Sequence, residues 1–184
     1  REAELPASKK YKIVQRGKRF DPHVLPIAVG SVVDFPNFDP IFHNAFSNFS
    51  GQPFDTGLYA PGTTRQVVFR RAGIVRVFCN IHSNMSAVIV VMNTPYHSQT
   101  DASGRFRIDG VPAGDYQLRV WHERAPEATL NALERRITVE QSAPSLPVLR
   151  ISESGYLEIP HKNKHGVDYP PNPPEHVVYP GVRK

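Results

Sequence analysis

Through the first hundred residues, short runs rich in Val, Ile and Phe alternate with Pro, Gly, Asn and Asp. Apolar runs bounded by such turn formers read as β-strands. Segments 11–15, 24–29, 31–36, 66–70, 73–79 and 86–92 are the candidates. Residues 36–64 are dense in turn formers and aromatics, which predicts a long loop region with one or two short strands. Many short strands at this spacing imply a β-sandwich or barrel.

The pattern changes near Asn93. Thr100-Asp101-Ala102-Ser103-Gly104 reads as a tight turn into the alternating run 105–108, and Val111-Pro112-Ala113-Gly114 as a second turn before a strand at 117–122. In that strand Leu118, Val120 and His122 share one face, and Gln117, Arg119 and Trp121 the other. Residues 125–136 predict a short helix, because Pro126 is tolerated in a first turn and Ala128, Leu130 and Leu133 recur near helical spacing. Segments 136–140 and 147–151 are the last strand candidates. A unit of about 55 residues is marginal alone, so it is expected to pack against the first. The final stretch, 160–184, holds six of the 18 prolines and favours extended backbone. The fold class is therefore all-β. A basic arm spans 1–18, a first domain 19–94, a second 95–155 and a Pro-rich tail 156–184.

Charge adds little to this picture. The net +5 comes wholly from residues 1–20, with seven basic and two acidic side chains; the rest of the chain balances. Lys9, Lys10, Lys12, Arg16, Lys18 and Arg19 could steer an acidic partner, although a solvated segment is the plainer account. Nucleic-acid binding calls for positive charge interleaved with aromatics on one face, and the sequence lacks it. No apolar run is long enough to span a bilayer. No signal peptide is visible, so an exported protein would be present here in its mature form.

Chemistry concentrates in one place. Cys79, the sole cysteine, opens the stretch Cys79-Asn80-Ile81-His82-Ser83-Asn84-Met85, and His43-Asn44 lies in the aromatic loop upstream. A thiolate, two imidazoles and a thioether form the donor set of mononuclear copper electron-transfer sites, where two nitrogens and a sulfur make a plane beside a weak axial methionine. Hanging three donors on one loop between two strands gives the rigidity that limits reorganisation between Cu(I) and Cu(II). Three plainer accounts compete. One reads Cys79 as an ordinary buried apolar residue. Zinc could use Cys79, His43 and His82, though structural zinc rarely takes methionine. Cys79 and His82 could also pair as nucleophile and base, with no further motif in support. His161-x3-His165 in the tail offers a weak second copper-collecting pair, although exposed tail histidines are more commonly just solvated.

At these residues the chain resembles the cupredoxins, and its C-x2-H-x2-M spacing is similar to that of amicyanin, while plastocyanin has two more residues before the methionine. The likeness runs from about Arg19 to Asn93. It includes Phe20-Asp21-Pro22, Val29-Gly30-Ser31-Val32-Val33-Asp34-Phe35, His43-Asn44 and the Cys79 loop running into Ser86-Ala87-Val88-Ile89-Val90-Val91. It implies a Greek-key sandwich with one copper ion, His43, Cys79 and His82 as equatorial ligands and Met85 as axial ligand. It also implies that Asn44 ties the two ligand loops together. Thr100-Asp101-x-x-Gly104-x-Phe106 and Val111-Pro112-x-Gly114-x-Tyr116 resemble the carboxypeptidase regulatory-like, or transthyretin-like, β-sandwich, which carries no chemistry.

The expectation is a periplasmic type 1 copper protein, not an enzyme, that carries single electrons through the edge of His82. Its partner would be a redox protein such as a c-type cytochrome or a periplasmic oxidoreductase, with no nucleic acid, membrane span or small-molecule substrate involved. Phe42, Phe46 and Ile81 are the docking candidates. The alternative is a copper chaperone or sensor that moves or detects the metal without cycling electrons, to which the tail histidines would point. A third reading makes the second domain an interaction module and the metal only a fold stabiliser.

Overall fold

The computed structural model describes residues 9–48, 51–140, 145–158 and 160–171. These form two compact units, one from 1–97 together with 161–184 and the other from 98–160. Residues 9–18 of the basic arm and 161–171 of the Pro-rich stretch fall in the first unit.

The first unit packs two sheets over one core. In the smaller sheet β5 (Val32–Pro36) lies between β1 (Lys10–Lys12), parallel to it, and β8 (Thr64–Val68), antiparallel. The larger sheet runs in the order β4 (Val24–Ala28), β10 (Ser86–Met92), β9 (Gly73–Phe78), β6 (Phe46–Ser47) and β7 (Phe54–Asp55). Pro26 falls in β4 without breaking a ladder because β4 is an edge strand. A hairpin of β2 (Val14–Gln15) and β3 (Phe20–Asp21) completes the unit.

Alternation along the strands decides the core. On β9, Val75 and Val77 point inward and Cys79 continues the same face just past the strand end. Ala87, Ile89 and Val91 of β10, Ile27 of β4, and Val33 and Phe35 of β5 meet them. The strands predicted outside the long loop in the first hundred residues are all present within a few residues, and the one or two short strands foreseen in 36–64 are β6 and β7. The segment 11–15 splits at Ile13, which is fully buried between β1 and β2 and donates its N–H to Asp34 O at 2.9 Å.

The aromatic residues of the long loop mostly serve this core. Phe54 packs on Phe35 and Phe69, with ring centroids 5.8 and 5.7 Å apart, and Phe46 on Phe78. Phe46 is buried and cannot form part of a docking patch, which corrects the sequence expectation. Phe42 and Ile81 are only partly exposed.

In the second unit β11 (Gly114–Leu118) pairs antiparallel with β12 (Arg135–Val139) across the helix α1 (Glu127–Leu133). The strand expected at 117–122 therefore begins and ends earlier. The runs 105–108 and 147–151 form no strand. Alternation alone is insufficient there: Arg105, Phe106 and Arg107 are exposed, and no ladder partner lies beside them among the described residues. The turn before them does form, with the Asp101 carboxylate accepting the Ser103 and Arg105 N–H groups. Among the described residues no helix is long and apolar enough to cross a membrane.

Replacing Ile89, fully buried between the sheets, with Ala should cost about 2–5 kcal/mol of unfolding free energy. Urea denaturation measures this directly.

Candidate metal centre

Cys79, His82 and Met85 sit where β9 turns back into β10. The turn closes tightly: Cys79 N–H donates to Met85 O at 3.2 Å, and Met85 N–H to His82 O at 3.1 Å. This short circuit gathers three donor side chains at one end of the sandwich. His43 arrives from the long loop and is fixed by a two-way bridge to Tyr59, whose N–H donates to His43 O at 2.9 Å. Tyr59 is itself buried, with its hydroxyl donating to Phe35 O at 2.9 Å and accepting from Gln15 Nε2.

The donor atoms of His43, Cys79 and His82 lie within 4.8 Å of one another. Both imidazoles turn Nδ1 toward the thiol, at 3.8 Å for His43 and 3.7 Å for His82. Bonds of about 2.3 Å to sulfur and about 2.0 Å to nitrogen, typical of a first-row divalent ion, set at 120° leave sulfur and nitrogen about 3.7 Å apart. His43, Cys79 and Met85 are fully buried, and Met85 packs in the same cluster as Cys79. Soft sulfur and imidazole donors inside an apolar wall select copper over hard cations. The site fits one copper ion.

The sequence reading missed the group behind His43. Asp39 is buried and accepts His43 Nε2–H at 2.8 Å. Its carboxylate also accepts Gly17 N–H at 2.6 Å and Lys18 N–H at 2.8 Å. Asn37 sets it in place by accepting the Asp39 N–H at 3.0 Å. Burial raises the Asp39 pKa, but the bonds from Lys18, His43 and Gly17 outweigh it and hold the carboxyl below its usual range. Burial lowers the His43 pKa despite Asp39. His43 is therefore neutral, with its proton on Nε2 and its Nδ1 lone pair free for a metal. Such carboxylate–histidine pairs orient the ring and raise its basicity. His82 is pushed down to about 4, first by burial and then by its proximity to the His43 ring, which disfavours charging both, and to the Lys18 cation.

Asn44 joins the two loops: its Oδ1 accepts Asn80 N–H at 2.7 Å, while its Nδ2 donates to Asp55. The C-terminal segment then covers this junction from outside. His161 stacks on Phe78 at 3.8 Å and donates Nε2–H to Ser83 O at 2.7 Å. Lys164 donates its N–H to Asn80 Oδ1 and pairs through Nζ with Asp55. Tyr169 donates its hydroxyl to Cys79 O at 2.6 Å. His161 is thus part of the wall around the ligand loop. Nothing local in the sequence signals these contacts, which join residues up to 90 positions apart.

Comparison with known proteins gives partial overlaps. A family model described as polysaccharide lyase family 4, domain II, matches residues 82–144, well under half of the chain. That description differs from the transthyretin-like resemblance noted for this region. Among curated protein sequences none matches. Similar solved structures include the copper-containing nitrite reductase of Thermus scotoductus SA-01, at 29% identity and TM-score 0.43 over 49% of this chain. The chain covers only 23% of that protein's length. A purple cupredoxin from Nitrosopumilus maritimus is 22% identical with TM-score 0.41, over 45% of this chain and 99% of its own. An amicyanin variant in the Cu(I) state is 15% identical with TM-score 0.43, over 50% of this chain and 100% of its own. These neighbours are cupredoxins or contain copper by name; the fit of this site to copper rests on its own donors.

Two outcomes follow from the surroundings of the donors. Asp39→Asn should weaken copper binding about 10–100-fold, read by competition with a chromophoric chelator. It should also raise the reduction potential, because a less basic imidazole stabilises Cu(II) less. Tyr169→Phe should cost about 1 kcal/mol of stability, the net worth of one hydrogen bond, measured by denaturant unfolding.

Proposed function

We propose that the first unit is a type 1 copper electron carrier, with His43, Cys79 and His82 as equatorial ligands and Met85 as the axial one. The single observation in support is the convergence of two Nδ1 atoms on the only thiol, at 3.7 and 3.8 Å, inside a buried apolar wall. Copper held there supplies a one-electron couple between Cu(II) and Cu(I).

The chain's own residues account for the rest. Asp39 and Tyr59 hold His43 in one orientation, and the β9–β10 turn holds the other three donors, so little has to move when the charge changes. Burial of Cys79 and Met85 keeps water from the metal. His82, only partly buried, provides the edge through which an electron leaves or enters. No bond is made or broken, so the reading is of a carrier and not an enzyme. Its partner is a redox protein such as a c-type cytochrome or an oxidoreductase, in the periplasm, where an exported copper carrier would work.

The chaperone or sensor reading leaned on the His161–His165 pair, of which His161 is engaged with Phe78 and Ser83 while His165 is exposed. A wall clasped in this way favours retention of the metal over its delivery.

The visible and electron paramagnetic resonance spectra of the copper-loaded chain test the proposal. An intense thiolate-to-copper band is expected, and it should vanish in Cys79→Ser. Met85→Leu should keep the band and raise the potential; complete loss of copper in that variant would refute the axial role. Copper that exchanges within seconds with a chelator, without the band, would support a chaperone instead.

A further inference from the structure

One edge of the ligand loop is covered and the other is open. The C-terminal segment lies on the flank from Phe78 to Ser83. The flank at Asn84 and Ser86 borders an open depression of about 800 Å3, lined also by Arg16, Arg19 and Phe38.

The basic residues at this edge are held by the metal centre itself. Arg16 and Arg19 exchange backbone hydrogen bonds of 3.1 and 3.2 Å, closing a two-residue turn between β2 and β3. Gly17 and Lys18 both take positive φ, 60° and 55°, as this type of hairpin turn requires. Glycine adopts that conformation freely; a lysine does so only at a cost. The Asp39 carboxylate offsets that cost by accepting both turn N–H groups, while its third partner is the His43 ring. One buried anion therefore fixes a ligand histidine and, beside it, a turn bearing three cations.

Those cations face outward. Arg16, Lys18 and Arg19 are exposed, and none takes part in an ion pair among the described residues. The Arg16 guanidinium instead lies 4.9 Å over the ring of Phe38. Phe38 is 54% exposed, the most exposed phenylalanine among the described residues. The charge of Lys18 is felt at both His43 and His82, so the turn lies within electrostatic range of both. Unpaired cations spread over a turn tip around an exposed aromatic suit a second protein surface better than an enclosed small anion.

We propose that Arg16, Lys18 and Arg19, grouped around Phe38 at the Asn84 edge of the ligand loop, form the docking surface for an acidic redox protein. Carboxylates of the partner pair with the three cations while Phe38 makes the apolar contact. The proposal rests on the electron-carrier reading and names the chemistry of the partner. Charge complementarity of this kind raises the encounter rate and makes it sensitive to salt.

The test uses mitochondrial cytochrome c, which is basic, and its succinylated form, which presents the same haem on an acidic surface. The copper-loaded, reduced full chain is mixed with each ferric protein in a stopped-flow instrument. One electron passes from the reduced centre to the haem iron, converting it to the ferrous state. Transfer to the acidic form should be the faster, and should slow steeply as salt rises from about 0.01 to about 0.2 M, where the screening length falls below 10 Å. Reversing the three charges (R16E, K18E, R19E) should lower that rate at least about tenfold and flatten its salt dependence, whereas the same kind of reversal at the two arginines of the β8–β9 turn (R70E with R71E) should change it little. Phe38→Ala should lower the rate without altering the salt slope. If the three reversals leave rate and slope unchanged while the thiolate–copper band is intact, the docking surface is wrong and the carrier reading survives. If no such band forms in the parent chain, the carrier reading fails and this proposal with it. Slow transfer to both haem proteins, with salt-sensitive binding of duplex DNA that the reversals abolish, would assign the face to a polyanion and overturn the proposal.

Discussion

The hydrogen bond from His43 Nε2 to the buried Asp39 carboxylate is the contact on which the metal centre turns. It decides which nitrogen of the ring carries the proton, and so which nitrogen is left to face Cys79. It decides the ring's orientation, because an imidazole held at one nitrogen by a fixed anion has little freedom at the other. The same carboxylate gathers the N–H groups of Gly17 and Lys18. A charge buried without such partners would be expensive; with three donors around it, Asp39 becomes a rigid post between the long loop, the β2–β3 turn and the ligand.

Around that post the site is braced from three sides. The sandwich supplies the floor, since Cys79 extends the inward face of β9 that already carries Val75 and Val77. Asn44 couples the backbone after Cys79 to the backbone after His43. The returning C-terminal segment forms an outer wall, with a ring on Phe78, a cation on Asp55 and a hydroxyl on the Cys79 carbonyl. Each brace acts on a different part of the loop, so the donors are positioned by the fold before any metal arrives. Preorganisation of that sort suits a group that must change charge without changing shape.

The second unit contrasts with the first. Its first turn forms where Asp101 and Gly104 place it, but only one two-stranded ladder follows among the described residues. Turn chemistry is local and legible; a ladder needs a neighbour at the right distance. The run at 105–108 alternates well and still stays out of any sheet, because its side chains have no face to bury.

What the sequence settled by itself was local in origin. The β-strands of the sandwich follow from apolar runs and their punctuation, and the donor types and the spacing of Cys79, His82 and Met85 follow from one seven-residue stretch. The pairing of Asn44 with the second loop was within reach only as something the cupredoxin resemblance at His43-Asn44 implied. Tertiary structure alone decided the remainder. Asp39 gives no sign of its role, since a carboxylate four residues before a histidine is common and only burial beside the ring makes it a second anchor. Phe46 was a docking candidate by sequence, and only the sandwich turned it inward while leaving Phe38 exposed. His161 and Tyr169 reach the ligand loop across some eighty to ninety residues of chain. Contacts of that range are set by how whole strands and segments pack, which no local pattern encodes.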